Sequence, residues 1–404
     1  MSHDSDPRRR RVLLLVENMS VPTDRRVWSE ARSLARDGYA VTVICPTGRG
    51  RDLEAHVTVE GISIHRYPSH EARSNTPSYL SEYARALWHM RRQVRRLAAV
   101  APFEIVHLAN PPDVLFLATA ALRRQGARIV FDPHDLVPEL FEARFGSGRG
   151  LVYRAAVVAE RRAFRAAGVV ISPNESYRRI AIERGGKAPE DTFVVRIAPD
   201  LEVFSPGPPD PSLKRGKQFL LVYAGTMGHQ DGVDHALRAL KLLSRRRQDW
   251  HALLAGAGDA ANDMRRLTAE LGLSDLVEFT GHLDDAPLLR TLRSADVCLS
   301  PEPSNPLNDA STMIKVVEYM ALACPIVAFD LAETRVSAGG AALYASSNDA
   351  AAFATCIERL LDDEPLRREL GQRGRARVET ELSWARSEEQ LLAAYERVLS
   401  ARSR

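Results

Sequence analysis

Several features that would place the chain in a special class of protein are missing from its sequence. It has only four cysteines, Cys45, Cys298, Cys324 and Cys356, which lack the spacing of metal ligands or of a redox pair. The longest apolar runs, such as VLLLV at 12–16, are far shorter than the roughly 20 residues of a membrane helix. No P-loop, complete GxGxxG fingerprint or acidic metal-binding pair of the DxD type is evident. These absences argue against a membrane-spanning, disulfide-rich or metal-dependent protein.

The net charge and the N-terminal residues argue against two further classes of protein. The formal charge of +3 is small for 404 residues, so nothing indicates a nucleic-acid-binding role. A secretory signal is not evident, because the apolar run after the first arginines is short and is followed at once by Glu17 and Asn18. We therefore expect a cytoplasmic globular protein.

Short apolar runs of strand length alternate with helical patterns along most of the chain. This alternation is typical of parallel sheets that are covered by helices on both faces. The predicted strands lie at 12–16, 40–45, 62–66, 104–108, 128–132, 168–172 and 192–196, and then at 219–224, 250–255, 276–279, 296–300, 325–329 and 341–345. Examples of the predicted helices lie at 25–37, 78–99, 113–124, 150–167 and 174–185, and further helices are expected in the later gaps and in three stretches from about 349 to 403.

A proline-rich segment separates two halves of the chain. Residues 198–217 carry five prolines and no apolar period, which is typical of a linker. We therefore predict an α/β protein with two doubly wound Rossmann-like domains, at 1–197 and 218–383, and a final helix at 384–404 that would pack back on the first domain. Ligands of such a pair are expected in the cleft between the domains, outside the carboxyl ends of the strands.

The segment 308–330, NDASTMIKVVEYMALACPIVAFD, has the pattern of a ligand site. Asp309, Ser311 and Thr312 favour helix N-caps, so we expect a helix to begin there with free N–H groups facing outward. Lys315 and Glu318 would share one side of that helix. An ammonium group suits a phosphate, and a carboxylate suits two ribose hydroxyls. The alternative is an exposed Lys–Glu pair, worth only ~0.2–0.5 kcal/mol.

Other polar or small residues follow the predicted strands, where ligands of parallel sheets bind. They are Asp24, Arg25, Arg26, Asn110, His134 and Asp135 in the first half, and Gly225, Thr226, Gly228, Gln230, Gly256 and Gly258 in the second. The glycines allow a close backbone approach to a ligand. His134 and Asp135 could instead begin a helix, and Arg25 and Arg26 could be ordinary surface charge. His107 is expected to be a packed histidine at a strand end.

Several stretches together resemble the retaining glycosyltransferases of family 4, which have the GT-B fold. The stretches are DRRVWSEARSLARDGYAVTVICP, EIVHLANPPDVLF, FDPHDLVPELFEARFG, NESYRRIAIERGG, GTMGHQDGVD and STMIKVVEYMALACPIVAFDLAETRVSAGGAALY. The resemblance implies transfer of a sugar, with retention, from a nucleotide-diphosphate donor on the second domain to a glycan or lipid-linked acceptor on the first. The GTMGHQDGVD loop looks like that of a subgroup that makes exopolysaccharides and cell-surface glycans.

The resemblance also implies roles for individual residues. Glu318 matches the second glutamate of the family's E-x7-E motif, which holds the nucleotide ribose. Lys315, with Ser311 and Thr312, matches the part that faces the diphosphate, and His134 matches a histidine near the donor sugar and the acceptor. Lys315, Glu318 and His134 are therefore the expected catalytic residues, with no metal and no cofactor beyond the donor itself.

Two positions depart from the family pattern. The first acid of E-x7-E falls at Ala310, with Asp309 one place away, and the usual basic pair falls at Thr226 and Asp231. Lys315, the predicted helix start and Arg25 or Arg26 are then the available positive groups, and Gly228 and Gln230 are further hydrogen-bond donors. Two other functions stay open: a GT-B sugar-nucleotide 2-epimerase, and a non-catalytic partner subunit that binds a nucleotide sugar.

A basic cluster lies on the predicted helix 78–99. Arg91, Arg92, Arg95 and Arg96 stand together there, close to Trp88. Such a run is commonly a solvated face, but a basic amphipathic helix also suits an anionic membrane surface, where a lipid-linked acceptor would lie. We therefore expect peripheral contact with the inner face of a membrane as the alternative to a purely solvated helix.

Overall fold

A computed structural model describes residues 9–48, 52–69, 76–145 and 150–400 of the chain. The chain divides into two compact units, each built around its own sheet. Unit 1 comprises residues 1–142, 147–196 and 387–404, and unit 2 comprises residues 143–146 and 197–386. Within the described residues, no helix combines the length and the hydropathy that crossing a bilayer requires.

Unit 1 is built on an eight-stranded sheet in the order β3-β4-β2-β1-β5-β6-β7-β8. Its strands are β1 Arg11–Val16, β2 Ala40–Pro46, β3 His56–Val59, β4 Ile62–Tyr67, β5 Ile105–Ala109, β6 Arg128–Asp132, β7 Val169–Ser172 and β8 Thr192–Val194. Its helices are α1 Arg25–Arg36, α2 Thr76–Val100, α3 Ala120–Arg124, α4 Val137–Phe145, α5 Leu151–Ala166 and α6 Glu175–Glu183. All neighbouring strands are parallel except β3, which pairs antiparallel with β4.

Unit 2 is built on a six-stranded parallel sheet in the order β11-β10-β9-β12-β13-β14. Its strands are β9 Phe219–Ala224, β10 Trp250–Ala255, β11 Val277–Gly281, β12 Val297–Ser300, β13 Ile326–Phe329 and β14 Ala342–Ala345. Its helices are α7 Val233–Ser244, α8 Ala261–Glu270, α9 Asp285–Arg293, α10 Pro306–Ala310, α11 Ile314–Ala321, α12 Ala332–Ala338, α13 Ala350–Asp362 and α14 Glu364–Thr380. The central strands β9, β10, β12 and β13 are wholly buried, as expected for apolar runs between two helical layers.

The last helix, α15 Trp384–Ser400, packs on unit 1 from Ser387 onward. Tyr395 is buried there and meets the ring of Tyr39 edge to face, with 5.6 Å between the centroids. Glu388 accepts a hydrogen bond of 2.6 Å from Arg36, at the end of α1. This helix therefore belongs to unit 1, although nearly 200 residues of unit 2 precede it in the chain.

The α/β class and the two mostly parallel sheets that the sequence predicts are confirmed. Two elements differ from the expectation. The short strand β3 was not predicted, because its residues alternate between exposed and half-buried positions and give no apolar run. The helix predicted at 113–124 is instead a 3₁₀ turn at Leu115–Thr119 followed by α3. The segment 198–217 groups with unit 2, whose core includes the buried side chain of Phe204.

Candidate functional site

Lys315 lies in the first turn of α11 and is held by two side chains of unit 2. Its Nζ donates a hydrogen bond of 3.1 Å to the hydroxyl of Tyr223 and lies 4.4 Å from the centre of that ring. It also donates to the carboxylate of Glu302, which itself accepts from the hydroxyl of Ser300. Burial alone would lower the pKa of Lys315, but the carboxylate of Glu302 raises it well above its ordinary value. Lys315 is therefore a fixed cation at neutral pH.

The glycines after β9 and β10 let these two loops approach each other closely. A Cβ on Gly256, where φ is +147°, would lie 1.8 Å from the carbonyl oxygen of Gly225. A Cβ on Gly225 would lie 2.8 Å from Cε of Lys315, and one on Gly258 would lie 2.5 Å from the carbonyl oxygen of Met227. No larger residue fits at these positions without displacing the backbone or the lysine. The glycines thus serve the packing of the loops around Lys315.

The rest of the loop after β9 differs from the prediction in one respect. The N–H of Gly228, predicted to be free for a phosphate, donates to the carboxylate of Asp231 over 2.8 Å. Thr226 is exposed. Oε1 of Gln230 is buried and accepts no hydrogen bond from any residue that the structure describes. Gln230 therefore remains a candidate contact through its side chain, whereas Gly228 is occupied.

The helix start predicted at 309–312 is wrong. Asn305 caps the short helix α10 instead, accepting from the N–H groups of Leu307 at 3.0 Å and Asn308 at 2.9 Å. Asn at the cap with Pro at the first helical position is a stronger start signal than the polar residues that follow. Ser311 ends α10, and α11 begins at Ile314 after Met313, which provides no side-chain cap.

The other site residues predicted in this segment are Asp309, Thr312 and Glu318, which lie within a few residues of Lys315. Asp309 accepts a hydrogen bond of 3.0 Å from the hydroxyl of Ser304. Thr312 and Glu318 are half-buried, and Glu318 lies one turn after Lys315 on α11. The hydroxyl of the next residue, Tyr319, accepts from the N–H of Ala224 over 2.8 Å and so ties α11 to the end of β9. Their contacts with a donor remain predictions.

Unit 1 brings together three of the predicted site residues, Asn110, His134 and Asp135. Asn110, at the end of β5, accepts hydrogen bonds from the N–H groups of His134 at 2.6 Å and Asp135 at 3.1 Å. Its amide group donates to the carbonyl oxygen of Asp135 over 2.9 Å. Asn110 therefore shapes the loop that presents His134. Asp24 caps α1 by accepting from the N–H of Val27, and Arg25 beside it is half-buried.

Arg26 does not have the exposed position that a phosphate or acceptor contact requires. Its side chain is buried, with both prongs of the guanidinium bound to the carboxylate of Asp132 at 2.9 and 2.7 Å. The remaining nitrogen donates to the carbonyl oxygen of Val195 over 2.6 Å. The prediction for Arg26 failed because its partner Asp132 lies 106 residues away in the sequence.

One group of side chains in the described residues has the spacing of a metal site. Ligand atoms of Glu30, His107 and Asp132 lie within 4.8 Å of one another, and all three residues are buried. Both oxygens of Asp132 are already bound by the guanidinium of Arg26, and His134 Nε2 also lies 2.6 Å from one of them. The positive charge that these carboxylates require is thus supplied by protein side chains, and the group does not fit a metal ion.

Three residues of these sites were missed by the sequence analysis. Tyr223 lies inside an apolar run and Asp132 at the end of one, so their polar groups were read as strand positions. Glu302 follows β12 in the segment SPEPSNPLND, beyond the end of the predicted strand. A carboxylate two residues after a buried strand was the available signal for Glu302.

Two Rossmann-like units in one chain, with a fixed cation among glycine loops in the second, are features expected of the GT-B class of protein. The family model described as "Glycosyl transferase 4-like domain" matches residues 23–196. The model described as "Glycosyl transferases group 1" matches residues 218–363. The chain belongs to the glycosyltransferases of the family 4 type, with the GT-B fold. The family and the fold inferred from the sequence are thus confirmed.

Two relatives illustrate the range of similar sequences. The chain is 30% identical to the 2-deoxystreptamine glucosyltransferase of Streptomyces kanamyceticus, over 44% of this chain and 45% of that protein. It is 26% identical to the phosphatidyl-myo-inositol mannosyltransferase of Mycolicibacterium smegmatis, over 77% of this chain and 75% of that protein. The match spans about half the length of the first curated relatives.

Solved structures share the fold over nearly the whole chain. Sucrose-phosphate synthase from Thermosynechococcus elongatus has a TM-score of 0.78 at 18% identity, covering 98% of this chain and 100% of that one. Anabaena Alr3699/HepE in complex with UDP-glucose has a TM-score of 0.71 at 16% identity, covering 96% of this chain and 99% of that one. At these identities the likeness establishes the fold alone.

Proposed function

We propose that the protein transfers a sugar from a nucleotide-diphosphate donor to a glycan or lipid-linked acceptor, with retention at the anomeric carbon, in the synthesis of cell-surface polysaccharide. The observation that carries the proposal is the cation of Lys315, fixed by Glu302 and Tyr223, with Glu318 one turn later on the same helix. Relatives named as glucosyl- and mannosyltransferases, and a neighbour bound to UDP-glucose, support it.

The chemistry follows from the charge of the leaving group. When the bond to the anomeric carbon breaks, negative charge grows on the departing phosphate, and a cation fixed beforehand stabilises that charge. Lys315 supplies it in this proposal, so that catalysis needs no divalent metal. The carboxylate of Glu318 accepts from the ribose hydroxyls, which are the same in the donor and in the released nucleotide. No enzyme nucleophile is assigned, and the acceptor attacks from the face that the phosphate leaves.

A lipid-linked acceptor lies at a membrane, and α2 carries a surface that suits contact with one. On α2, the side chains of Arg91, Arg92, Arg95 and Arg96 are exposed. Trp88 is 58% exposed, and the guanidinium of Arg92 lies 5.8 Å from the centre of its ring. A basic surface with an exposed indole suits the headgroup region of an anionic bilayer. We therefore place the protein in the cytoplasm, in peripheral contact with the inner face of the membrane.

A panel of nucleotide sugars tests the proposed donor site. A donor that binds the folded state raises the melting temperature by mass action, so one nucleotide should stand out from the others. The stabilising donor is then incubated with extracted lipid acceptor, and transfer of labelled sugar to the lipid is expected. Isomerised nucleotide sugar without acceptor would indicate a 2-epimerase instead. Tight binding without turnover, even with acceptor, would indicate a non-catalytic partner subunit.

A further inference from the structure

The carboxylate of Asp132 lies at the centre of a buried network of charges in unit 1. Asp132 ends β6 and has no exposed surface. Its oxygens accept two hydrogen bonds from the guanidinium of Arg26, at 2.9 and 2.7 Å, and Oδ2 also lies 2.6 Å from Nε2 of His134. One carboxylate thus joins a buried arginine to a histidine whose side chain is 15% exposed.

A second layer surrounds this pair. Glu30 lies 3.2 Å from the guanidinium of Arg26 and 3.5 Å from Nε2 of His107, which in turn lies 3.6 Å from Asp132. Nδ1 of His107 shares a hydrogen bond of 2.9 Å with the hydroxyl of Tyr395. All of these side chains are buried. Two acidic groups, Glu30 and Asp132, thus face one permanent cation, Arg26.

The ring of His134 is fixed at one end only. Its backbone N–H donates to Asn110 and its Nε2 faces Asp132, whereas Nδ1 makes no hydrogen bond with any residue that the structure describes. The side chain of His134 is 15% exposed, so part of the ring reaches the surface. One ring nitrogen is thus bound to a buried carboxylate, and a neighbouring carboxylate shifts the pKa of a histidine.

We propose that Asp132 is a positioning residue for His134: it fixes the imidazole and keeps it as an imidazolium, so that Nδ1–H acts on the substrate as a charged hydrogen-bond donor. The inference rests on the proposed function and specifies how one residue of that site works. An imidazolium can bind a hydroxyl or phosphate oxygen but cannot accept the acceptor's proton. That proton goes to an oxygen of the departing phosphate, while the acceptor oxygen forms the new bond to the anomeric carbon.

The surrounding charges agree with this state of His134. The titratable and charged groups that face it come from three elements: Asp132 on β6, Asp24, Arg26 and Glu30 on or beside α1, and His107 on β5. Burial and Arg26 disfavour the imidazolium, but Asp132 and Asp24 outweigh them and raise the pKa of His134 to about 9. Burial lowers the pKa of His107, which is therefore neutral and does not compete for the charge.

The protonation state can be measured without an activity assay. In ¹⁵N-histidine NMR spectra of the full chain, with His134 assigned from the His134→Gln variant, the ring should stay an imidazolium at pH 7.5 and titrate near pH 9. In Asp132→Asn its pKa should fall by about two units or more, since the opposing charge is lost. A wild-type ring that is neutral at pH 7.5 would overturn the inference and leave the proposed transferase activity untouched.

Kinetics separates positioning from mere support of the fold. Asp132→Asn should lower kcat by about 10-fold or more with little change in KM for the donor. As the pH is raised, the variant should also lose activity at a lower pH than the wild type does. Glu388→Gln, which alters another paired carboxylate of unit 1, is the matched control and should leave kcat and the pH profile unchanged. If Asp132→Asn folds poorly, the wild-type titration still decides; an unaltered pH profile in a folded variant would contradict the role.

Discussion

Lys315 and Glu302 form an ion pair in which both side chains are largely withdrawn from solvent, with exposed fractions of 12% and 2%. Glu302 comes from the loop after β12, and Lys315 comes from the first turn of α11. A phosphate that binds at Lys315 would thus meet a cation that is already fixed, and little side-chain entropy would be lost on binding. The pair links the loop after β12 to the helix that carries the predicted ribose contact.

Replacing Lys315 by alanine should lower kcat by about 10²-fold or more, because the fixed cation acts on charge that grows during bond cleavage. Steady-state kinetics with the stabilising donor measures this. Lys241→Ala on α7 removes another half-buried lysine of unit 2 and should leave turnover unchanged. Near-wild-type turnover in a folded Lys315→Ala variant would remove Lys315 from the site.

Replacing Glu302 by glutamine should destabilise unit 2 by about 3 kcal/mol, because the buried ammonium of Lys315 loses its counter-charge. Glu302 raises the pKa of Lys315, so the contribution is fully present below the unfolded value of about 10.4 and is lost only as pH rises through the folded value. Urea unfolding at pH 6 and pH 8 should therefore give the same loss. The exposed change Glu270→Gln should cost under ~0.5 kcal/mol.

Replacing Glu318 by glutamine should weaken the binding of the donor and of the free nucleoside diphosphate by similar factors, since the ribose is the same in both. The effect should appear mainly in KM for the donor, with kcat little changed. Calorimetric titration of both ligands checks this expectation. Equal affinities in variant and wild type would identify Glu318 as an ordinary helix residue.

Transfer activity should persist in excess chelator, because Lys315 rather than a divalent ion is proposed to meet the phosphate charge. The assay compares initial rates in a metal-chelating buffer with rates after addition of magnesium. A complete loss of activity that magnesium reverses would assign the phosphate charge to an ion.

Reversing Arg91, Arg92, Arg95 and Arg96 to glutamate should abolish sedimentation with anionic liposomes at low salt. Attraction of basic residues to such a surface is worth about 1 kcal/mol each and is screened by salt. The control reverses four exposed arginines of unit 2, Arg238, Arg245, Arg265 and Arg266, and so changes the net charge equally. Loss of sedimentation in the control alone, or in neither variant, would refute contact through α2.

The strands and the two sheets could be predicted because long apolar runs with short polar gaps have few other folded forms. The start of α11 could not. Polar residues at 309–312 have the chemistry of caps, but Asn305 and Pro306, which precede them, start α10. The N-cap position of α11 then falls on Met313. Local propensity identified a helix start in the segment but ranked the competing positions wrongly.

Residues could be grouped into a candidate site from the sequence only where one element carries them. Lys315 and Glu318 share a helix, so their spacing alone made them candidates for one ligand. Arg26 and Asp132, by contrast, meet across 106 residues, and Lys315 and Tyr223 across 92. Such pairs depend on which strands are neighbours, and a single sequence contains no local trace of that order.

The bond between Tyr395 and His107 joins residues that are 288 positions apart. During synthesis, the sheet of unit 1 leaves the ribosome long before α15 exists. At the usual pace of translation the interval is on the order of ten seconds or more. Until then the face that carries His107, Glu30 and Asp132 lacks its covering helix. The unit that is made first therefore receives its last helix only after unit 2 has been made.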